Sequence, residues 1–396
     1  FTGEEVVELH CHGGRAVVQA VLAALQTQPG VRLAQPGEFT RRAFLNGKLD
    51  LTQAEAIADI VAAETEAQRR QALQQLAGAL GQQFEAWRQE VVALLAEVEA
   101  AIDFPDEELE LIHAAALVER LTALRASLHQ ALAQRVGERI RDGFRIVIVG
   151  APNVGKSTLT NLLTGAETAI VSPIAGTTRD VVQAHLNIGG YPVVLADTAG
   201  VRATADEIEQ EGVRRAYARA AEADLTLLVV AAPGFNPTAP GQGAAPADLA
   251  SRLDPAKTIV ILSHLDQAPE AASIDKVMLN QEGVGSPALA LDLRDHTHSG
   301  PRLLRALEEV LAAQAAGVGQ AALLTRDRHR VAAQQAIDSI DKALQVMHDA
   351  TTAKYSLADL LAQDLRDIAR AIGSVTGRTD IETVLDQLFS SFCIGK

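Results

Sequence analysis

The sequence predicts a multidomain chain of α/β and all-α parts. A parallel-sheet α/β domain with flanking helices is inserted into a helical domain and preceded by part of an α+β domain. Three observations predict this. Short β-branched runs, "FRIVIVG", "PVVLADTAG", "DLTLLVVA" and "KTIVILS", alternate with helix-compatible segments from Gly143 to about residue 313, the pattern of a parallel sheet. Alanine- and leucine-rich stretches flank that region, and a chain 48% hydrophobic but only 3% aromatic builds such stretches as helix. Its 396 residues are enough for two or three separate cores.

The elements follow in order. Val6 to Leu9 reads as a short strand, a helix follows Gly14, a loop surrounds Pro36-Gly37, and a second helix comes next. The chain opens at Phe1 in ordered-looking sequence, so the first part of this N-terminal domain is expected to lie upstream of it. Between 51 and 101, Leu73, Leu76, Leu80 and Phe84 recur at helical spacing and predict one long helix. "DFPDEE" at 103–108 interrupts it, because Pro105 disfavours helical backbone at Phe104. Helix resumes to about Arg141 and returns beyond about 317, with "SVTGRTD" as a pause. The stretch 232–246 and the surroundings of Gly283 and Gly285 read as loops. The expected boundaries are 1–48 for the N-terminal domain, 49–141 and 316–396 for the helical halves, and 142–315 for the inserted domain.

A net charge of −15 argues against a generally basic nucleic-acid coat, although local patches remain open. The most basic runs are "TRDRHR" (325–330) and "TRRAFLNGK" (40–48), each readable as a solvated face or a nucleic-acid contact. Cys11 and Cys393 have no metal-ligand or disulfide spacing, and Cys11 reads as a small buried side chain. His10 and His12 flank it without an evident third ligand. No apolar run is long enough to span a membrane and no signal peptide is visible, so a cytoplasmic location without membrane partners is expected.

"GAPNVGKST" fits G-x-x-x-x-G-K-[ST] through Gly150, Gly155, Lys156 and Ser157, between a strand and a helix. The glycines let the backbone wrap phosphates, Lys156 neutralises them and Ser157 ligates Mg²⁺. The candidate cradle is Asn153, Val154, Gly155, Lys156, Ser157 and Thr158. In "GTTRD" (176–180), Thr178 would complete the Mg²⁺ shell and Thr177 contribute backbone. Arg179 suits either a phosphate contact or a loop ion pair. In "DTAG", Asp197 would hold Mg²⁺ through water and the Gly200 amide would sense a γ-phosphate. Many GTPases place a water-orienting glutamine next; this chain has Val201, which has no hydrogen-bonding side chain.

Guanine selection usually uses Asn-Lys-x-Asp. Here the stretch is Ser263, His264, Leu265 and Asp266. The Asp266 carboxylate can accept from guanine N1 and N2, a pattern adenine does not present. Ser263 has a shorter reach than asparagine, and His264 lacks the aliphatic stem of lysine. GTP with weakened affinity is the expectation; adenine preference, lost base selection, or binding with little turnover stays open.

These motifs in order, with "PGEFTRRAFLNGKLDLTQAEA" at 36–56, "DFPDEE" and the terminal "SSFCIGK" at 390–396, resemble the MnmE (TrmE) family of tRNA-modification GTPases along nearly the whole chain. The resemblance implies a P-loop GTPase (G) domain inserted into the helical domain, after a folate-binding, dimerising N-terminal domain. It implies a homodimer joined through those N-terminal domains, with GTP-dependent pairing of G domains. With MnmG, the family modifies C5 of the wobble uridine in tRNA, using a 5-formyl-tetrahydrofolate-type cofactor. It also implies activation by K⁺: the Asn153 side chain and the backbone of Ser172, Ile174 and Thr177 would be its ligands. Glu209 would position the attacking water that Val201 cannot, and Cys393 would be required for modification. From residues alone, Glu209 is one of several acids at a helix start and the tail is equally a dispensable end. The alternative is a GTP-dependent assembly or ribosome-maturation switch without modification chemistry.

Overall fold

The computed structural model describes residues 1–103, 114–165, 183–196, 220–233, 235, 253–274, 276–278, 285–316, 324–348, 354–379, 385, 388–389 and 392. Contacts divide the chain into two units. One holds residues 1–62, 71–135 and 320–396, the other 63–70 and 136–319.

The first unit is helical. It contains α1 (Arg15–Gln26), α2 (Glu38–Leu45), α3 (Leu51–Ala62) and the later part of α4 (Glu66–Leu76), followed by α5 (Ala79–Asp103) and α6 (Ala114–Ala133). The single helix expected over 51–101 is therefore three. Reciprocal caps mark the first start and the second. Gln53 N–H donates to Asp50 Oδ1 (2.8 Å) while Asp50 N–H donates to Gln53 Oε1 (3.0 Å). Before α4, the Thr65 N–H donates to Gln68 Oε1 (3.1 Å) and Thr65 Oγ1 accepts from Gln68 N–H (3.4 Å). Both are capping boxes, which satisfy N–H groups that have no partner within the helix.

Phe84 and Leu94 of α5 and Leu121 and Leu128 of α6 share one core with residues from two later helices, given below. Leu51 and Ala54 of α3 make a smaller core with Leu385, Leu388, Phe389 and Phe392. The N-terminal stretch differs from expectation. Val6 to Leu9 forms no strand, and α1 buries no residue. A strand is completed by a ladder partner, and among the described residues none pairs with this segment. Cys11, expected to be buried, is exposed.

The second unit holds α7 (Val136–Asp142), β1 (Phe144–Gly150), α8 (Lys156–Gly165), β2 (Gln183–Ile188), β3 (Tyr191–Ala196) and β4 (Leu225–Ala231). β5 (Thr258–Ser263), β6 (Lys276–Met278), β7 (Gly285–Ala290) and α9 (His296–Ala316) complete it. Helices α10 (Asp327–His348) and α11 (Lys354–Thr376) return to the first unit, where Ile337, Ile340, Leu365 and Ile372 fill its main core.

The seven described strands run β2-β3-β1-β4-β5-β7-β6. β3, β1, β4, β5 and β7 are parallel, as expected, but β2 and β6 are antiparallel edges, so the sheet is mixed. The β2–β3 hairpin turns at Gly189-Gly190, both at positive φ, the backbone that a two-residue hairpin turn favours. Gly285 opens β7 rather than lying in a loop; Pro287 had hidden that strand, and it is tolerated near a sheet edge. Alternate residues bury on opposite faces: Ile146, Ile148, Leu227 and Ile261 on one, Val147, Val149, Leu228 and Leu262 on the other.

Candidate nucleotide site

The P-loop leaves the C-terminal end of β1 and enters α8. Gly150 has φ 151°, and a Cβ there would fall on the Val229 carbonyl oxygen of β4, so only glycine lets the chain turn this close to its neighbour. A Cβ at Gly155 would stand 2.9 Å from Leu293 Cδ1. Lys156 is half-buried, and its Nζ donates to the carbonyls of Gly150 (3.0 Å) and Ala151 (2.6 Å). Burial lowers its pKa. Neutral carbonyls compensate an ammonium less well than an anion does, so the loop is built to receive phosphate. Asn153 and Ser157 are exposed, Thr158 is half-buried and Val154 is packed inside.

The stretch after β5 meets this loop. Ser263, 1% exposed, donates from Oγ to the Val154 carbonyl at 2.7 Å, with the Val230 carbonyl at 3.2 Å. Ser263, part of the base motif in the sequence, ties β5 to the P-loop through this bond. His264 has φ 56°, and its Nε2 lies 3.3 Å from the Asn153 carbonyl oxygen. Both substitutions in the base motif thus keep hold of consecutive P-loop carbonyls. Asp266 is exposed, and Arg294 Nη1 lies 3.4 Å from its Oδ2.

Arg294 and Leu293 escaped the sequence reading. Both follow β7, the strand hidden by Pro287. The signal present was "RDHTH": Asp295 Oδ1 accepts from the N–H groups of Thr297 (3.1 Å) and His298 (3.2 Å) and caps α9. Ser172, Ile174, Thr177, Thr178, Arg179, Asp197, Gly200, Val201, Glu209 and Cys393 lie outside the described residues.

In the basic run 325–330, two arginines and the histidine are engaged within the helical unit. Arg326 binds Asp59 at 2.6 Å, Arg328 binds Glu55 at 2.6 Å and the Val375 carbonyl at 3.0 Å, and His329 is fully buried. These side chains tie parts of the helical unit together. In the other run, Arg42 pairs with Glu38 (3.0 Å) and Glu4 (3.1 Å) at the surface. Arg32 grips the same Glu38, and the two arginines with the Gln35 N–H hold its pKa at about 2.

A glycine-turned loop between strand and helix, a lysine held on its carbonyls and an aspartate beyond another parallel strand of the same sheet define a P-loop GTPase, which uses GTP or GDP with Mg²⁺. Two family models cover the chain: one described as "GTP-binding protein TrmE N-terminus" matches residues 1–48, and one described as "MnmE helical domain" matches 51–393. The chain belongs to the MnmE (TrmE) family. It is 49% identical over 400 residues to the tRNA modification GTPase MnmE of Parvibaculum lavamentivorans, covering 100% of this chain and 84% of the relative. The MnmE of Rhodospirillum rubrum is 48% identical, with 100% and 82% covered, and that of Caulobacter vibrioides 46%, with 100% and 84% covered. Among the described residues, no helix is long and apolar enough to cross a membrane.

Proposed function

We propose that this chain hydrolyses GTP to drive modification of C5 of the wobble uridine in tRNA, acting with MnmG to form carboxymethylaminomethyl- or aminomethyl-uridine. The observation that carries this reading is the convergence of Lys156, Ser263 and His264 on one P-loop, in a chain nearly half identical to tRNA modification GTPases. Mg²⁺ would be held by Ser157 with Thr178 and Asp197. K⁺ would be held by Asn153 and the backbone of Ser172, Ile174 and Thr177, and would supply positive charge for phosphoryl transfer. This replaces an arginine finger, while Glu209 orients the water and Gly200 senses the γ-phosphate. Two copies pair through their N-terminal domains, residues 1–48 in this chain, which take the folate-type cofactor. The G domain spans 142–315, between helical halves 49–141 and 316–396.

Cys393 serves the modification chemistry. Its neighbour Phe392 is buried against Leu51 and Ala54 of α3, so the chain just before the thiol is anchored rather than a loose end.

The test is GTP turnover in KCl against NaCl at matched ionic strength, with ATP in parallel. GTP-selective turnover that rises in potassium, and loses that rise in Asn153→Ala, is expected. Equal rates in both salts at saturating nucleotide would overturn the potassium mechanism. Cys393→Ser is expected to hydrolyse GTP normally yet fail to modify tRNA; retained modification would remove the role given to the thiol.

A further inference from the structure

Among the described residues, two that are not glycine have positive φ, and they touch. Asn153 (φ 62°) lies in the P-loop and His264 (φ 56°) just after β5, with His264 Nε2 3.3 Å from the Asn153 carbonyl oxygen. Left-handed backbone is uncommon for residues with a side chain, and asparagine and histidine tolerate it better than most. The two ends are held unequally. Beside His264, the Ser263 carbonyl accepts from Ala232 N–H (2.9 Å), and the His264 carbonyl accepts from Gln267 N–H (3.0 Å). Asn153 is exposed, and its carbonyl receives the ring. A carbonyl only accepts, so this contact needs the ring hydrogen on Nε2.

A trans peptide is planar, with its C=O and N–H on opposite sides. Holding the Asn153 carbonyl towards His264 therefore turns the Val154 N–H the other way. Ser263, on the Val154 carbonyl at 2.7 Å, does the same for the Gly155 N–H. We propose that His264 is a positioning residue for phosphate: it grips the far side of the Asn153–Val154 peptide and so aims the Val154 N–H into the anion site of the P-loop. His264 belongs to the base motif in sequence but serves the phosphate end of the nucleotide, through the backbone. This rests on the loop being the nucleotide site. One hydrogen bond of this kind shifts an equilibrium by about two- to tenfold.

The experiment compares wild type, His264→Asn and His264→Gln in the full chain. Asparagine keeps the tolerance of positive φ but is too short to reach the Asn153 carbonyl. Glutamine returns an N–H donor of about the right reach. Two quantities are read: the ¹⁵N order parameter of the Val154 amide without nucleotide, and the affinity for fluorescent GDP. In His264→Asn the order parameter is expected to fall from about 0.85 to below about 0.6, with Ile148 of β1 unchanged. GDP is expected to bind about two- to tenfold more weakly. His264→Gln is expected to move both values back towards wild type. If His264→Asn does not fold, His264→Gly, free at any φ, reads the same losses.

An unchanged Val154 amide would overturn the proposal even if GDP bound more weakly, because His264 would then act on the base. A loosened amide with unchanged GDP affinity would overturn it too, since phosphate would not depend on the grip. Failure of wild type to bind GDP would overturn the nucleotide site itself, and the wild-type titration reads that separately.

Discussion

Glu55 and His329 are 274 positions apart in the chain, yet Glu55 Oε2 lies 3.0 Å from His329 Nε2. They are 2% and 0% exposed. Arg328 Nε binds the other carboxylate oxygen at 2.6 Å, and Arg326 bridges Glu55 (3.3 Å) and Asp59 (2.6 Å). Burial alone would raise the Glu55 pKa, but His329 and Arg328 outweigh it and hold the carboxyl well below its usual range. Burial pushes the His329 pKa down; Glu55 opposes this, and Arg328 and Arg326 add to it. The cluster fastens α3 to the first turn of α10, two segments that the α/β unit separates in sequence.

Acid is expected to weaken the helical unit in two stages. As pH falls through 6.5, the ordinary value for histidine, the unfolded chain takes up a proton that folded His329 resists, so stability declines. Below 4.5, the ordinary value for glutamate, the unfolded chain protonates Glu55 while the folded state keeps it ionised, and stability declines again. Thermal melts from pH 7.5 to 4 should show both losses, with the upper one reduced in His329→Gln. Midpoints that stay level down to pH 5 would contradict this account.

Removing the carboxylate should cost more than removing any surface acid. Glu55→Ala leaves Arg328 and the buried imidazole without their shared partner, a loss of about 3–5 kcal/mol. Urea unfolding followed by helical circular dichroism measures it. A loss under about 1 kcal/mol would mean water or a neighbouring acid takes over.

Ser263→Ala removes the donor to the Val154 carbonyl and leaves that oxygen without its side-chain partner. The expected cost is about 1–3 kcal/mol in the α/β unit, with weaker GDP binding because the P-loop is less firmly placed. Calorimetric melting and GDP titration on one preparation check both effects. Unchanged GDP affinity would show that the tie is structural only.

Lys156→Ala should abolish GTP turnover, by about a hundredfold or more, with the fold intact. Among the described residues Nζ is held by the exchangeable carbonyls of Gly150 and Ala151. Normal circular dichroism with lost nucleotide binding is the expected pair of results; retained turnover would place phosphate neutralisation elsewhere.

The P-loop was legible because all its parts are consecutive: Gly150 to Ser157 carry strand end, turn and helix start in one stretch. The central strands were legible for a similar reason, since a strand buried on both faces reads as an unbroken apolar run. The strands towards either end of the sheet were not. β2 carries polar residues beside its apolar ones and β7 contains Pro287, and both are strands through pairing rather than propensity. Conversely, Val6 to Leu9 has the right residues and no partner among those described. The breaks at Thr65 and Gly78 were written in the sequence as a capping box and a glycine, but regular apolar spacing masked them.

The sequence by itself determined that a phosphate-binding loop lies within a parallel-stranded domain flanked by helix, because those facts rest on residues close together in the chain. Only the tertiary structure decided what separated side chains do. It turned Ser263 inward to a P-loop carbonyl, set Arg294 against Asp266, and committed Arg326, Arg328 and His329 to Glu55 and Asp59 rather than to a surface. A hydrogen bond or ion pair depends on distances of about 3 Å. Folding sets those distances between residues up to 274 positions apart, and no local pattern records them.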